Sequence, residues 1–176
     1  MNFPQIANAF PSTNLSLIDD SGPLFETDAT FSPCYQELWR NLWGLSNTIP
    51  GACGDCFSNS GDSLSQLLPF LSSAYPTANF GLISSQADFV IRDFLGDGQD
   101  SCTSNQSIST ATFEVGLNFT LDSILTPANN WGSFIPSGQA HVFITGSGFY
   151  EEQINGKTLA EWSGDLTEGT IANLKE

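Results

Sequence analysis

The stretch "NFGLISSQADFVIRDFLG", residues 79–96, places a short apolar run directly before a helical pattern. The apolar residues of 79–83 give way to Ser84 and Ser85, which predicts a buried β-strand that leads into a loop. After Asp88, apolar residues recur at helical spacing until Gly96, which predicts a short helix that ends there. A strand followed at once by a helix is the building unit of α/β proteins.

The rest of the chain repeats this alternation. Further strands are predicted from Leu15 to the turn formers Asp19 and Asp20, and within residues 131–144. Helices are predicted at 2–10, 34–45, 63–75, 110–125 and 157–166, and loops at 51–62 and 95–107. Because strands alternate with longer helices, we expect an α/β fold with a mainly parallel sheet flanked by helices. At 176 residues, with no internal repeat or linker, the chain is predicted to form one domain, residues 1–176.

Two of the predicted helices carry more specific expectations. The helix at 34–45 has large apolar residues on one side, and their expected role is core packing: Leu38, Trp39, Leu42 and Trp43. Stacking on sugar rings is the alternative for the tryptophans. Pro69 is expected to kink the helix at 63–75, and Asp62 or Ser63 to cap its N-terminus.

The sequence is strongly acidic. Four lysines and arginines against nineteen aspartates and glutamates give a formal net charge of -15. Such a charge repels the phosphates of nucleic acids and the anionic surface of a membrane, so neither is an expected partner. No apolar run approaches the ~18 residues that a bilayer span needs, so we expect no membrane span. The oligomeric state stays open.

Four cysteines, Cys34, Cys53, Cys56 and Cys102, favour disulfides formed in an oxidising compartment. They allow three pairings, among which the sequence does not choose. The C-x-x-C spacing of Cys53 and Cys56 also suits a zinc site, but a single such pair without a nearby histidine makes disulfides the preferred interpretation. Cysteine usage thus indicates a secreted, periplasmic or cell-surface protein, whereas residues 1–14 lack the features of a signal peptide. A missing upstream segment is the expected explanation.

Asp88 and His141 are the candidate catalytic residues. Ligands of open α/β sheets bind beyond the carboxyl ends of the strands, where Asp88 and the loop of His141, the sole histidine, are expected. An acid after one strand and a histidine after a later one is the order of the α/β-hydrolases, in which the acid orients the imidazole that deprotonates a serine. The alternatives are a helix N-cap role for Asp88 and an ordinary loop or core position for His141. Asp19 and Asp20, and Ser21 after them, are interpreted as turn residues.

The nucleophile of such a triad has no candidate in this sequence, because the 176 residues contain no G-x-S-x-G motif. The nearest look-alikes, "NSGDS" at 59–63 and "GSGFY" at 146–150, lack the strand, sharp turn and helix that expose a nucleophilic serine. That turn would precede a helix and then the next strand, and this chain opens with a helix and a strand. The serine is therefore expected just before Met1.

Five stretches together resemble the C-terminal half of bacterial pectinacetylesterase-like proteins, which are Notum-related serine hydrolases: "LIDDSGPLF", "CYQELWRNLWGL", "FGLISSQADFVIRDFLG", "SGQAHVFI" and "GFYEEQINGKTLAEW". The resemblance covers nearly the whole chain. It implies a secreted hydrolase of the α/β-hydrolase type that removes acyl groups from esters, including acetyl groups from pectin. By the same resemblance Asp88 is the triad acid and His141 the triad base, whereas the family's nucleophile motif and its oxyanion donors have no counterpart here.

The combined expectation is the C-terminal part of a secreted carboxylic ester hydrolase, an incomplete α/β-hydrolase domain that carries Asp88 and His141 without the serine. Its expected partner is an acylated small-molecule or polysaccharide ester. We predict no cofactor and no metal ion, and the chain alone is expected to be inactive. The alternative is a non-catalytic carbohydrate-binding or cell-surface module derived from the same fold.

Overall fold

A computed structural model describes residues 2–26, 30–57, 64–104 and 106–176. Within these residues, the main sheet has four parallel strands in the order β1-β2-β3-β6. They are β1 (Ser16–Asp20), β2 (Asn79–Ile83), β3 (Trp131–Ile135) and β6 (Asn173–Lys175). A short antiparallel pair consists of β4 (Gln153–Ile154) and β5 (Lys157–Thr158).

Helices connect these strands. They are α1 (Phe3–Ala9), α2 (Pro33–Trp43), α3 (Leu67–Ala74), α4 (Phe89–Gly96), α5 (Gln99–Cys102), α6 (Thr110–Phe119), α7 (Gly148–Glu151) and α8 (Leu159–Thr167). A π-helical segment, Thr120–Leu125, continues α6. The α/β class with a parallel sheet flanked by helices is therefore confirmed.

Two apolar cores cover the two faces of the sheet. On one face, Phe80 of β2 stacks on Trp131 of β3 with ring centroids 5.0 Å apart. On the other face, α8 packs directly on the sheet at Gly81, where an added Cβ would lie only 2.6 Å from Leu166 and 2.8 Å from Trp162. Successive strand residues point to opposite faces, so β2 contributes to both cores and is buried from both sides.

Two disulfides are present, as the cysteine content predicts. Cys34 pairs with Cys102, which links α2 to α5 across 68 positions of the chain. Cys53 pairs with Cys56. The structure thus selects one of the three possible pairings, and the C-x-x-C motif forms a disulfide instead of supplying zinc thiolates.

The core-packing prediction for α2 is wrong for most of its apolar side. Leu38, Leu42 and Trp43 are 48%, 70% and 68% exposed. They line a cavity of about 750 Å³ between α2 and α4, where Ile91 and Phe94 form the opposite wall. The helical spacing correctly predicts an apolar stripe, but the stripe faces this cavity and not a packed layer.

The predicted details of α3 and of the loop at 95–107 also change. Pro69 is expected to kink a helix interior, but α3 begins at Leu67 and Pro69 therefore lies in its first turn, where no intrahelical amide bond is lost. The candidate caps Asp62 and Ser63 lie outside the described residues. Within the loop at 95–107, the short segment α5 has left-handed backbone angles, with φ of 51° at Asp100 and 59° at Ser101.

Candidate active site

The candidate site lies at the carboxyl ends of three neighbouring parallel strands. β1 ends at Asp20, which is in register with Ile83 at the end of β2, and Ile83 is in register with Phe134 near the end of β3. The loops that follow β2 and β3 carry Asp88 and His141. This register brings the three strand ends to the same edge of the sheet.

Asp88 is fixed by the helix that it starts. Its side chain is fully buried, and Oδ1 accepts hydrogen bonds from the amides of Val90 and Ile91, both at 3.0 Å. Asp88 therefore caps the N-terminus of α4, where the helix dipole favours a carboxylate. Its second oxygen, Oδ2, lies 2.9 Å from Nδ1 of His141. Because capping and imidazole binding use different oxygens, one residue combines both roles that the sequence offers for it.

The chain before His141 runs alongside the loop that follows β2. Three amides of residues 86–89 donate to carbonyls of residues 136–139 over 3.0–3.3 Å. Ser85, which is buried, donates from Oγ to the carbonyl of Ala140 at 2.7 Å. These contacts fix the N-terminal side of His141 to the same loop that carries Asp88.

The chain after His141 is fixed to the end of β1. The amide of Val142 donates to Oγ of Ser21 at 3.1 Å, and the amides of residues 143–144 both donate to Oδ2 of Asp20 at 2.8 Å. Val142 has a φ of 64°, a left-handed conformation that costs a β-branched residue about 1–3 kcal/mol. Hydrogen bonds to an ionised carboxylate are stronger than those between neutral groups, so Asp20 offsets part of this cost.

Asp19, the residue before Asp20, has a different environment. Its carboxylate accepts a hydrogen bond from the amide of Gly22. Burial, and then the neighbouring Asp20 carboxylate, raise the pKa of Asp19. Ionised Asp19 is therefore less favourable in the folded chain than in the unfolded chain.

The imidazole of His141 is oriented by one partner. Its side chain is 26% exposed, and in the described part of the chain Asp88 is the only side chain hydrogen-bonded to it. A carboxylate at Nδ1 favours the tautomer with the proton on Nδ1, which leaves the lone pair of Nε2 free to accept a proton. The pair can therefore act as an oriented general base toward a group that approaches Nε2.

Open space adjoins the end of β1. A cavity of about 380 Å³ is lined by residues 17–20 of β1 and by Gly22, among others. The larger cavity between α2 and α4 also includes Gly22 in its wall. Ser21, which binds the loop of His141, therefore directly precedes in sequence a residue that lines both cavities.

Neither a metal-binding cluster nor a membrane-spanning helix occurs among the residues that the structure describes. Among residues 2–26, 30–57, 64–104 and 106–176, no three His, Cys, Asp or Glu side chains converge as a metal site requires. None of the helices in these ranges has the length and apolar content to cross a bilayer.

No protein-family model, curated protein or solved structure matches this chain. The structure brings Asp88 and His141 into contact, and their catalytic roles stay predictions.

The sequence alone did not identify two residues of the site, Asp20 and Ser21. Asp20 is interpreted there only as a turn residue, and Ser21 only as a turn former beside it. In the structure both bind the loop of His141. The available signal was a carboxylate and a hydroxyl side by side at the end of a predicted strand, where open α/β sheets bind their ligands.

Proposed function

We propose that Asp88 and His141 are the acid and base of a Ser-Asp-His triad that hydrolyses carboxylic esters. The observation that carries this proposal is the 2.9 Å contact between Oδ2 of Asp88 and Nδ1 of His141, with the acid fully buried and the base about a quarter exposed. A buried carboxylate on one ring nitrogen and a partly exposed imidazole are what general-base catalysis requires. The hydrogen bonds on both sides of His141 support the same assignment, because catalytic groups need a fixed geometry.

In the proposed reaction, Nε2 of His141 takes the proton of a serine hydroxyl as the serine oxygen attacks the ester carbonyl. Asp88 stabilises the imidazolium without taking its proton. The imidazolium then protonates the departing alkoxide, which leaves as an alcohol, and the acyl group remains on the serine oxygen as an acyl-serine. Water attacks the acyl-serine by the same route, so that the carboxylic acid is released and the serine is restored.

We further propose that the serine lies outside these 176 residues. The sequence contains no G-x-S-x-G motif. Within the described sheet β1 pairs only with β2, so its other edge is open to a further strand. A serine at the carboxyl end of a parallel strand paired there would reach the same edge of the sheet as Asp88 and His141.

The proposed substrate is an acylated small molecule or polysaccharide in an extracytoplasmic compartment. Two disulfides favour an oxidising environment. The net charge of -15 opposes the approach of polyanionic substrates at low ionic strength. A neutral acetyl ester is therefore the better first test substrate.

The test combines a fluorophosphonate probe, which labels activated serines, with hydrolysis of a neutral chromogenic acetyl ester. It compares the 176-residue chain with a form that includes any coding sequence continuous with it upstream of Met1. We expect labelling and hydrolysis only in the longer form. There, His141→Gln and Asp88→Asn should each lower the hydrolysis rate at least about a thousandfold. Asp122→Asn, which changes an exposed carboxylate on the π-helical segment, is the matched control and should leave the rate unchanged.

Three outcomes would contradict the proposal. Labelling of a serine within residues 1–176 would refute the external nucleophile. Hydrolysis that persists in His141→Gln would refute the role of the imidazole. Absence of labelling and hydrolysis in both forms, with tight binding of an acetylated polysaccharide, would replace the hydrolase with a non-catalytic binding module.

A further inference from the structure

Asp20 and Ser21, at the end of β1, bind the backbone that follows His141. We propose that they are positioning residues that orient the imidazole of His141 toward Asp88. This inference rests on the proposed function, because it assigns two residues to the support of its general base. Neither residue is proposed to touch the reacting atoms.

The contacts are concentrated on one short segment. Three consecutive amides, those of residues 142–144, donate to two consecutive residues of β1 and its following turn: the first to Ser21 and the other two to one oxygen of Asp20. An oxygen that accepts two adjacent amides fixes the orientation of both peptide planes. Oγ of Ser21 also donates to Oδ1 of Asp20 at 3.3 Å, so the two acceptors hold each other in place.

Both sides of this contact have unusual backbone conformations. Val142 has a φ of 64° and Ser21 a φ of 70°. A β-branched residue does not adopt positive φ by its own preference, so the surrounding contacts must impose it. The amide of Ser21 donates to the carbonyl of Ile83 at 2.8 Å, which ties the turn to the end of β2. The strained residue is thus held by two neighbouring strands, at the position directly after His141.

The imidazole depends on both sides of its loop. On the N-terminal side, Oγ of Ser85 fixes the carbonyl of Ala140. On the C-terminal side, Asp20 and Ser21 supply the corresponding contacts. If they are lost, Val142 can relax toward negative φ and the backbone at His141 can rotate. A hydrogen bond weakens steeply with distance and angle, so such a rotation would weaken the contact with Asp88.

The chain offers a probe for this effect, because His141 is its sole histidine and gives a single set of imidazole NMR signals. The measurement is the exchange rate with water of the proton on Nδ1 in the ¹⁵N-labelled 176-residue chain. In Asp20→Asn and in Ser21→Ala, we expect this proton to exchange at least about fivefold faster, because loss or weakening of one loop hydrogen bond eases local opening. A backbone amide spectrum verifies that each variant stays folded.

Asp19→Asn is the matched control, since it removes the same charge from the adjacent residue, whose hydrogen bond goes to Gly22. It should leave the exchange rate within about twofold of the parent chain. A rescue variant adds Val142→Gly to Ser21→Ala. Glycine adopts positive φ without help, so this variant should recover at least about half of the lost protection.

Unchanged exchange in folded Asp20→Asn and Ser21→Ala would overturn the inference. An equally large change in Asp19→Asn would also overturn it, because the effect would then be one of charge and not of position. The readout does not depend on ester hydrolysis. If no form hydrolyses esters but Asp20→Asn and Ser21→Ala free the imidazole while Asp19→Asn does not, the proposed function fails and the positioning role stands.

Discussion

Asp20 ends β1 and Asp88 follows the neighbouring strand β2, and each carboxylate accepts hydrogen bonds from two backbone amides. Asp88 uses Oδ1 for the amides of its own helix and keeps Oδ2 for His141. Asp20 uses Oδ2 for two amides of the loop that carries His141, and Oδ1 for the hydroxyl of Ser21. One carboxylate therefore binds the imidazole, and the other binds the backbone that presents it.

The difference follows from what comes after each residue. α4 begins directly after Asp88, so this carboxylate first satisfies the orphan amides of a helix and is held rigidly by them. Asp20 is followed by Ser21 in a left-handed conformation, and its carboxylate reaches across to a neighbouring loop. Residue type and position at a strand end are therefore not enough to define a role, because the local path of the chain decides which partner each oxygen meets.

The largest expected effect separates the two residues in catalysis. Asp88→Asn keeps a side-chain oxygen that caps α4 but loses the charge that orients the imidazole. In the hydrolytically active form we expect the turnover rate to fall about ten-thousandfold, while the free energy of unfolding changes by less than about 1 kcal/mol. Steady-state ester hydrolysis and urea unfolding measure the two effects. An equal fall in Asp20→Asn would erase the distinction between the two carboxylates.

The next effect concerns stability. Asp20→Ala leaves two amides without their charged acceptor, and we expect the free energy of unfolding to fall by about 2 kcal/mol, discounted because Ile144 is exposed. Urea unfolding at neutral pH gives this value. Asp122→Ala, at an exposed position, should change it by less than about 0.5 kcal/mol. If Asp20→Ala lowers the free energy of unfolding no more than this control does, the hydrogen bonds from Asp20 do not stabilise the loop of His141.

A smaller effect concerns the strained backbone of Val142, the residue after His141. At an ordinary position alanine is more stabilising than glycine, but Val142 has positive φ, so the order should be reversed there. Both variants lose the two γ-methyl groups of Val142, but only glycine adopts positive φ without strain, so we expect Val142→Gly to be about 1 kcal/mol more stable than Val142→Ala. Thermal or urea unfolding of the pair decides the matter, and a more stable alanine variant would mean that Val142 is not strained.

The smallest effect concerns Asp19 and depends on pH. Its folded pKa is raised, and such a carboxyl contributes stability below its unfolded pKa and loses it as the pH rises through the folded value. At neutral pH, Asp19→Asn should therefore raise the free energy of unfolding, because it removes the charge that burial and Asp20 disfavour. Unfolding curves at several pH values should show this gain shrinking as the pH falls toward the ordinary value of 3.8. A constant gain, or a loss at neutral pH, would exclude this cause.

The main elements of the fold could be predicted from the sequence because their signals are local. β2 shows an apolar run and α4 a helical periodicity in the sequence. The strand β6 and the β4–β5 pair were missed, because strands of two or three residues are defined by their partners and not by a pattern. The exposure of the apolar side of α2 was also not predictable, because an apolar stripe does not reveal which part of the chain lies opposite it.

Part of the candidate site could also be predicted from the sequence. Asp88 and His141 could be selected because parallel strands bring their carboxyl ends to one edge of the sheet. The partners of Asp20 could not be predicted, because its bond to Phe143 joins residues 123 positions apart and involves only a backbone amide of that residue. A backbone donor leaves no trace in side-chain identity, so the sequence around Phe143 does not point back to Asp20.

The tautomer of neutral His141 tests the Asp88–His141 pair most directly, and the two imidazole nitrogen shifts in a ¹⁵N NMR spectrum report it. The sole histidine gives one pair of ring signals. We predict that Nδ1 carries the proton and Nε2 is bare, and that Asp88→Asn removes this preference. A proton on Nε2, or a tautomer that does not respond to Asp88→Asn, would contradict the pairing on which the proposed function rests.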